Sequence, residues 1–319
     1  KHEPVEVLNS FFRDGLQLAV LEFLQPNAER TRRVMRFFSV LGDTYWEANT
    51  DNLRRAIREQ LNARLHEELR IAKGIQERLL PKVIPQIPGW QFAGRLKPAL
   101  EVGGDYWSVK HYTQDGMVTC KLADVTGHGI GAAILVAAVK FISGGFYRGA
   151  PSAAWVMERT NHVLVVETPS DIMVTMVYGW IRPQTGEVTV VNAGHGPAYV
   201  CQQGMVRDIP PTGPALGLLE SRYTELTYSF APGDLMVLCS DGIVEARSHA
   251  PGSKQRMFGA KRLRSLIRRY AHLSAQELAD QILNAAVEFS GDPSDDMSLM
   301  IVKRVPDPQG SSAETPEEK

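Results

Sequence analysis

An α+β domain, with β-sheets covered by helices, is the expectation for this 319-residue chain. Short runs rich in Val, Ile, Thr and Tyr recur through its middle, and helical stretches interrupt them in groups. Hydrophobic residues make up 44% against 22% charged, a balance that buries a real core.

The elements follow in order. Residues 1–52 have mixed character: 16–24 reads as a strand, Pro26 breaks it, and 31–46 reads as a helix. This segment is expected to be the remnant of a sensory domain or a small dimerisation unit. Residues 53–81 read as one long linker helix. Leu53, Ile57, Leu61, Leu65, Leu69, Ala72, Ile75 and Leu79 recur at steps of three or four, and Pro81 stops the helix. The stripe suits packing on its own domain and equally suits a dimer or signal-relay helix, because spacing alone does not separate the two.

Residues 82–305 form the main domain. Strands are expected at 92–96, 106–112, 117–123, 173–181, 187–192, 198–202, 223–230, 235–240 and 297–302. Helices are expected at 129–141, 152–165, 260–270 and 275–289. Residues 306–319, rich in Pro, Ser and Glu, read as a disordered tail.

Bulk properties exclude several functions. A formal net charge of −1 supplies no field that attracts nucleic acid or an anionic membrane. The longest apolar run, 130–139, is half of the ~20 residues a membrane span needs. No signal peptide is visible, so a cytoplasmic protein is expected; the chain begins at Lys1, which is compatible with a sensor or membrane portion upstream. Cys120, Cys201 and Cys239 sit far apart inside apolar runs and read as reduced core residues.

Chemistry concentrates where acids meet glycine at strand ends. Gly103-Gly104-Asp105 precedes one strand, and Asp124 ends the next and opens Asp124-Val125-Thr126-Gly127-His128-Gly129. Asp241-Gly242 ends a third strand, and Asp295-Asp296 begins a fourth. Any one Asp-Gly is most often a turn. Four such places in one domain read differently, because clustered carboxylates repel and raise one another's pKa values unless hard divalent cations hold them. Oxygen ligands suit Mg2+ or Mn2+, and no His or Cys cluster competes for zinc.

These residues resemble the bacterial branch of the PPM (PP2C-type) metal-dependent serine/threonine phosphatases, the group of the sporulation and sigma-factor regulatory phosphatases. The likeness runs from about Glu68 to Arg304. It rests on the lead-in Ile71-Ala72-Lys73-Gly74-Ile75-Gln76-Glu77-Arg78-Leu79-Leu80-Pro81, on Glu101-Val102-Gly103-Gly104-Asp105-Tyr106-Trp107 and on Ala123-Asp124-Val125-Thr126-Gly127-His128-Gly129. Asn192-Ala193-Gly194-His195, Pro232-Gly233-Asp234, Ser240-Asp241-Gly242-Ile243-Val244-Glu245-Ala246 and Asp295-Asp296-Met297-Ser298-Leu299 complete it.

The resemblance implies a β-sandwich of two antiparallel sheets flanked by helices, with two Mn2+ or Mg2+ ions in the cleft between them. By the same resemblance Asp105 bridges the ions, Asp124 binds through its carboxylate with the Val125 carbonyl beside it, and Asp241 and Asp295 complete the set. Asp296 falls where the wider family often has Asn, and is expected to stand behind the ligands. The implied nucleophile is metal-bound water rather than a side chain. His128 either protonates the leaving oxygen or orients a water. Asn192 and His195 are expected to brace the fold. Ser108 departs from the pattern, since many relatives carry Asp there, and the phosphate-gripping arginine of the eukaryotic branch has no match.

The implied activity is dephosphorylation of an anti-anti-sigma-type phosphoprotein, with a homodimer formed through the linker helix. A catalytically inactive scaffold of the same fold and a small phosphate-ester hydrolase are the alternatives; the intact aspartates argue against the first and the relay helix against the second.

Overall fold

A computed structural model of the chain describes residues 43–307, apart from His128, 249–255 and Asp292, and also Glu29, Thr31 and Arg32. The expected strand at 16–24, most of the expected helix at 31–46, and the tail from 308 onward lie outside the described residues. The chain divides into two compact units, with the boundary between Arg70 and Ile71.

Helix α1 spans Asp43–Leu79. It is already formed at Asp43, ahead of Leu53 where the apolar stripe begins, because neither Gly nor Pro interrupts the sequence before Gly74. In the first unit, Arg64 reaches Glu68 at 3.2 Å and Arg70 grips Glu67 at 2.7 and 2.9 Å. Such exposed pairs add only a few tenths of a kcal/mol each. Leu61 and Leu65 of the stripe are exposed.

The second unit is built on two antiparallel sheets. Its strands are β1 (Trp90–Lys97), β2 (Asp105–Tyr112), β3 (Met117–Val125), β4 (Val174–Arg182), β5 (Glu187–Ala193), β6 (Ala198–Gln202), β7 (Met205–Asp208), β8 (Leu226–Ser229), β9 (Leu235–Cys239) and β10 (Met297–Arg304). One sheet has the order β1-β10-β9-β6-β7 and the other β2-β3-β4-β5-β8. Helices α2 (Ile130–Gly145) and α3 (Ala153–Glu167) cover the second sheet. Short α4 (Asp241–Val244), α5 (Gly259–Tyr270) and α6 (Ala275–Ser290) lie against the first.

Alternation along each strand explains the layering. In β3, Cys120 and Leu122 join Val177, Val190, Met236, Leu238 and Met300 in a core between the sheets. Their neighbours Ala123 and Val125 turn the other way, to Val136, Val139, Val156 and Met157 of α2 and α3. On the far side, Val237, Leu299 and Ile301 meet Leu263, Ile267, Leu278 and Ile282. Four layers result, helix on sheet on sheet on helix, as the sequence reading expects. Cys120, Cys201 and Cys239 are buried and free.

Strand β7 has no counterpart among the expected runs. Its residues are mostly exposed and of mixed polarity, so no pattern marks them. It exists because Gln203 and Gly204, with φ of 51° and 75°, form a two-residue hairpin turn that folds the chain back on β6.

Leu122 lies fully buried in the central core. Truncation by Leu122→Ala is expected to lower the unfolding free energy by about 2–5 kcal/mol, read as a lower denaturant midpoint at unchanged slope.

Candidate metal centre

Each sheet contributes two of the strand-end aspartates. Asp105 opens β2 and stands directly across from Asp124 near the end of β3. Asp241 follows β9, and Asp295 precedes its antiparallel neighbour β10. Asp105 is buried, Asp124 half-buried, and Asp241 and Asp295 exposed.

Electrostatics shows that they share one field. Burial raises the Asp105 carboxyl well above the usual range, and the Asp124 charge adds to it. Asp124 is pushed up to about 7, first by burial and then by Asp241, Asp295 and Asp296. Asp241 is raised by burial, then by Asp295 and Glu245. The carboxylates couple, yet among the described residues no three His, Cys, Asp or Glu groups are already gathered closely enough to enclose an ion.

Backbone packing holds the acids in place. The Asp296 carboxylate accepts hydrogen bonds from Ala99 N at 2.9 Å and Gly104 N at 2.8 Å, which turns it toward the loop before β2. A Cβ on Gly103 would overlap that carboxylate, so glycine is required there. At Gly104 a Cβ would lie 2.6 Å from the Val125 carbonyl oxygen, which brings that oxygen against the loop beside Asp105. Across the cleft, Ser240 Oγ donates to Asp296 O at 3.0 Å and accepts from Ser298 N at 2.9 Å. This ties the start of α4 to the start of β10.

One contact was not anticipated from the sequence. Gln76 of α1 is buried, and its amide makes a two-way clamp on Gly103, donating to the carbonyl at 2.6 Å and accepting from the N–H at 3.1 Å. Its signal is visible in retrospect: a polar residue between Ala72 and Leu79 on the apolar face of the helix.

Asn192 and His195 brace the fold, as expected. Asn192 Oδ1 accepts from His195 N at 2.8 Å, and Asn192 Nδ2 donates to Ile209 O at 3.0 Å. His195 pairs with Thr175 Oγ1 at 2.8 Å, and burial lowers its pKa to about 4, so it is neutral. His128 lies outside the described residues.

Two features fit a divalent cation. Asp105 Oδ2 is buried and, among the described residues, has no partner within hydrogen-bond distance and geometry, though the Ser298 and Ser240 hydroxyls lie near enough to lower its pKa against burial; such an oxygen is costly unless a cation or proton meets it. The donor set is all oxygen, which suits Mg2+ or Mn2+ over softer metals.

The model of the family named Stage II sporulation protein E (SpoIIE) matches residues 114–305, more than half of the chain. The chain belongs to the SpoIIE family. A relative of this family member, "Phosphoserine phosphatase RsbU" of Bacillus subtilis, is 26% identical over 245 residues, covering 75% of this chain and 71% of RsbU. The solved SiaA-PP2C domain of Pseudomonas aeruginosa superposes with a TM-score of 0.67 at 18% identity, over 77% of this chain and 99% of that domain. The catalytic domain of the serine/threonine phosphatase PstP, solved with two manganese ions, gives a TM-score of 0.51 at 15% identity, over 68% of this chain and 99% of that one. These likenesses establish the PP2C fold for the SpoIIE-family chain. Among its described residues no helix is long and apolar enough to cross a membrane.

A carboxyl whose folded pKa exceeds its unfolded pKa loses stabilising free energy as pH rises between the two, from about 4 to about 7 for Asp124. With chelator present, the melting temperature is therefore expected to fall across that window, and to fall less steeply in Asp124→Asn. Mn2+ is expected to raise the melting temperature more at pH 7.5 than at pH 5, where protons compete for the same oxygens.

Proposed function

We propose that this SpoIIE-family chain is a metal-dependent protein phosphatase that removes phosphate from serine or threonine of an anti-anti-sigma-type partner. The observation that carries this is the coupled set of carboxylates from two sheets, with the Asp105 carboxyl buried among them. Asp105, Asp124, Asp241, Asp295 and the Val125 carbonyl would hold two Mn2+ or Mg2+ ions. Bound there, the cations would supply positive charge at the phosphoryl oxygens and an acidified water for attack at phosphorus.

The chain's own residues do the rest. Buried Asp105, coupled to Asp124 across the ladder, would orient what binds there. Gly104 lets the β2 loop approach the Val125 carbonyl closely, and Gly103 lets it approach the Asp296 carboxylate. Asp296 keeps that loop rigid through its two backbone hydrogen bonds. The name of RsbU supports phosphoserine as the substrate class, and the protein-phosphatase fold supports a macromolecular phosphoester.

Hydrolysis of an aryl phosphate and of a phosphoserine peptide is expected to require Mn2+ or Mg2+ and to stop with chelator. Asp241→Asn is expected to lower kcat/KM by more than about 100-fold while the fold is kept. Equal activity in chelator would sink the metal-dependent reading.

The boundaries proposed are a segment at 1–52, a linker helix at 53–81, a phosphatase domain at 82–305 and a tail at 306–319. The linker helix is proposed to form a homodimer, supported by the exposure of Leu61, Leu65 and Ile75 on its apolar stripe. Light scattering is expected to give a dimer mass for the intact chain and a monomer mass for the Leu61→Glu, Leu65→Glu double variant. Equal masses for both would remove the helix from the interface.

A further inference from the structure

On the α2 side of the second sheet lies a cavity of about 540 Å3, within the size range of small-molecule sites. None of the four metal-centre aspartates lines it. Tyr106, Tyr112 and Phe141 give it apolar walls, and Lys110, Lys121 and Lys140 give it three amino groups. No acidic residue lines it among the described residues.

Lys121 is the unusual member. It is 4% exposed, although lysine is almost never fully buried without a counter-charge. Its Nζ donates to Ser143 Oγ at 2.9 Å and lies 4.8 Å from the centre of the Tyr178 ring. An ammonium has three donors, and the protein supplies one hydrogen-bond acceptor among the described residues. Lys140 donates to Leu79 O at 2.6 Å, and Lys110 lies over the Tyr112 ring at 4.6 Å. No carboxylate pairs with any of the three among the described residues. Burial lowers Lys121 to about 7, and the Lys110 charge adds to the effect.

Position 108 faces the same amino group. Ser108 stands directly across from Lys121 in the β2–β3 ladder and lines the same cavity. An Asp there would place a carboxylate beside Lys121. With serine, position 108 offers no counter-charge.

We propose that this cavity binds a small organic anion, with a carboxylate or phosphoryl head on the amino groups of Lys121 and Lys110 and an apolar body against Tyr106 and Phe141. The head group meets donors with no competing acid, and the aromatic walls select against free inorganic ions.

The test uses the full chain in chelator, so that the metal centre does not contribute. It is titrated with the fluorescent sulfonate 1-anilinonaphthalene-8-sulfonate, which is then displaced with benzoate, phenylphosphonate or uncharged benzyl alcohol. Binding is expected in wild type, with displacement by at least one of the two acids and not by the alcohol; which acid works identifies the head group. Affinity is expected to drop at least about tenfold in Ser108→Asp and in Lys121→Met. Should Lys121→Met fail to fold, Ser108→Asp decides, since it only adds a carboxylate at a half-buried position. No binding in wild type, equal affinity in Ser108→Asp, or equal displacement by benzyl alcohol would overturn the proposal.

Discussion

Carboxylates of like charge repel, and the second unit holds Asp105, Asp124 and Asp241 where burial and neighbouring acids raise their pKa values. Asp105 and Asp124 are adjacent across one sheet, and Asp241 and Asp295 flank neighbouring strands of the other. Burial raises the pKa values of Asp105, Asp124 and Asp241 first, and neighbouring carboxylates add to it. The core between the two sheets provides the opposing term, since its apolar surface is buried only when the sandwich is closed.

A cleft under such strain needs a rigid backbone. Asp296 meets this need by directing its carboxylate to Ala99 N and Gly104 N instead of to the cleft, and Ser240 joins the two strand ends of the opposite sheet. The glycines at 103, 104 and 242 are there for close approach, because each would drive a Cβ into a backbone or carboxylate atom. Gln76 extends the same scaffold into α1, so the last turns of that helix are bonded to the loop carrying Asp105. A displacement of the helix end would move Gly103 with it, which gives α1 a physical connection to the candidate metal centre.

Much of this was legible in the chain itself. Strand and helix positions follow from period, and the alternation in β3 separates Cys120 and Leu122 from Ala123 and Val125 without any coordinates. The aspartates were legible because glycine beside an acid at a strand end is a local signal. Strand β7 was not, since a short exposed strand carries no pattern and depends on the turn at Gln203 and Gly204. The start of α1 at Asp43 was missed for a related reason: propensity carries the helix beyond its apolar stripe.

Sequence alone therefore determined the residue types and their order: the layered domain, the oxygen-only donor set, and the acids at strand ends. Tertiary structure decided which of those groups meet. Gln76 and Gly103 are 27 positions apart, and Gly104 and Asp296 are 192 apart. Lys110, Lys121 and Lys140 come to one cavity from two strands and a helix. Periodicity reports which face of an element is buried, whereas the partner on that face is set by sheet order and register, which only the closed fold specifies.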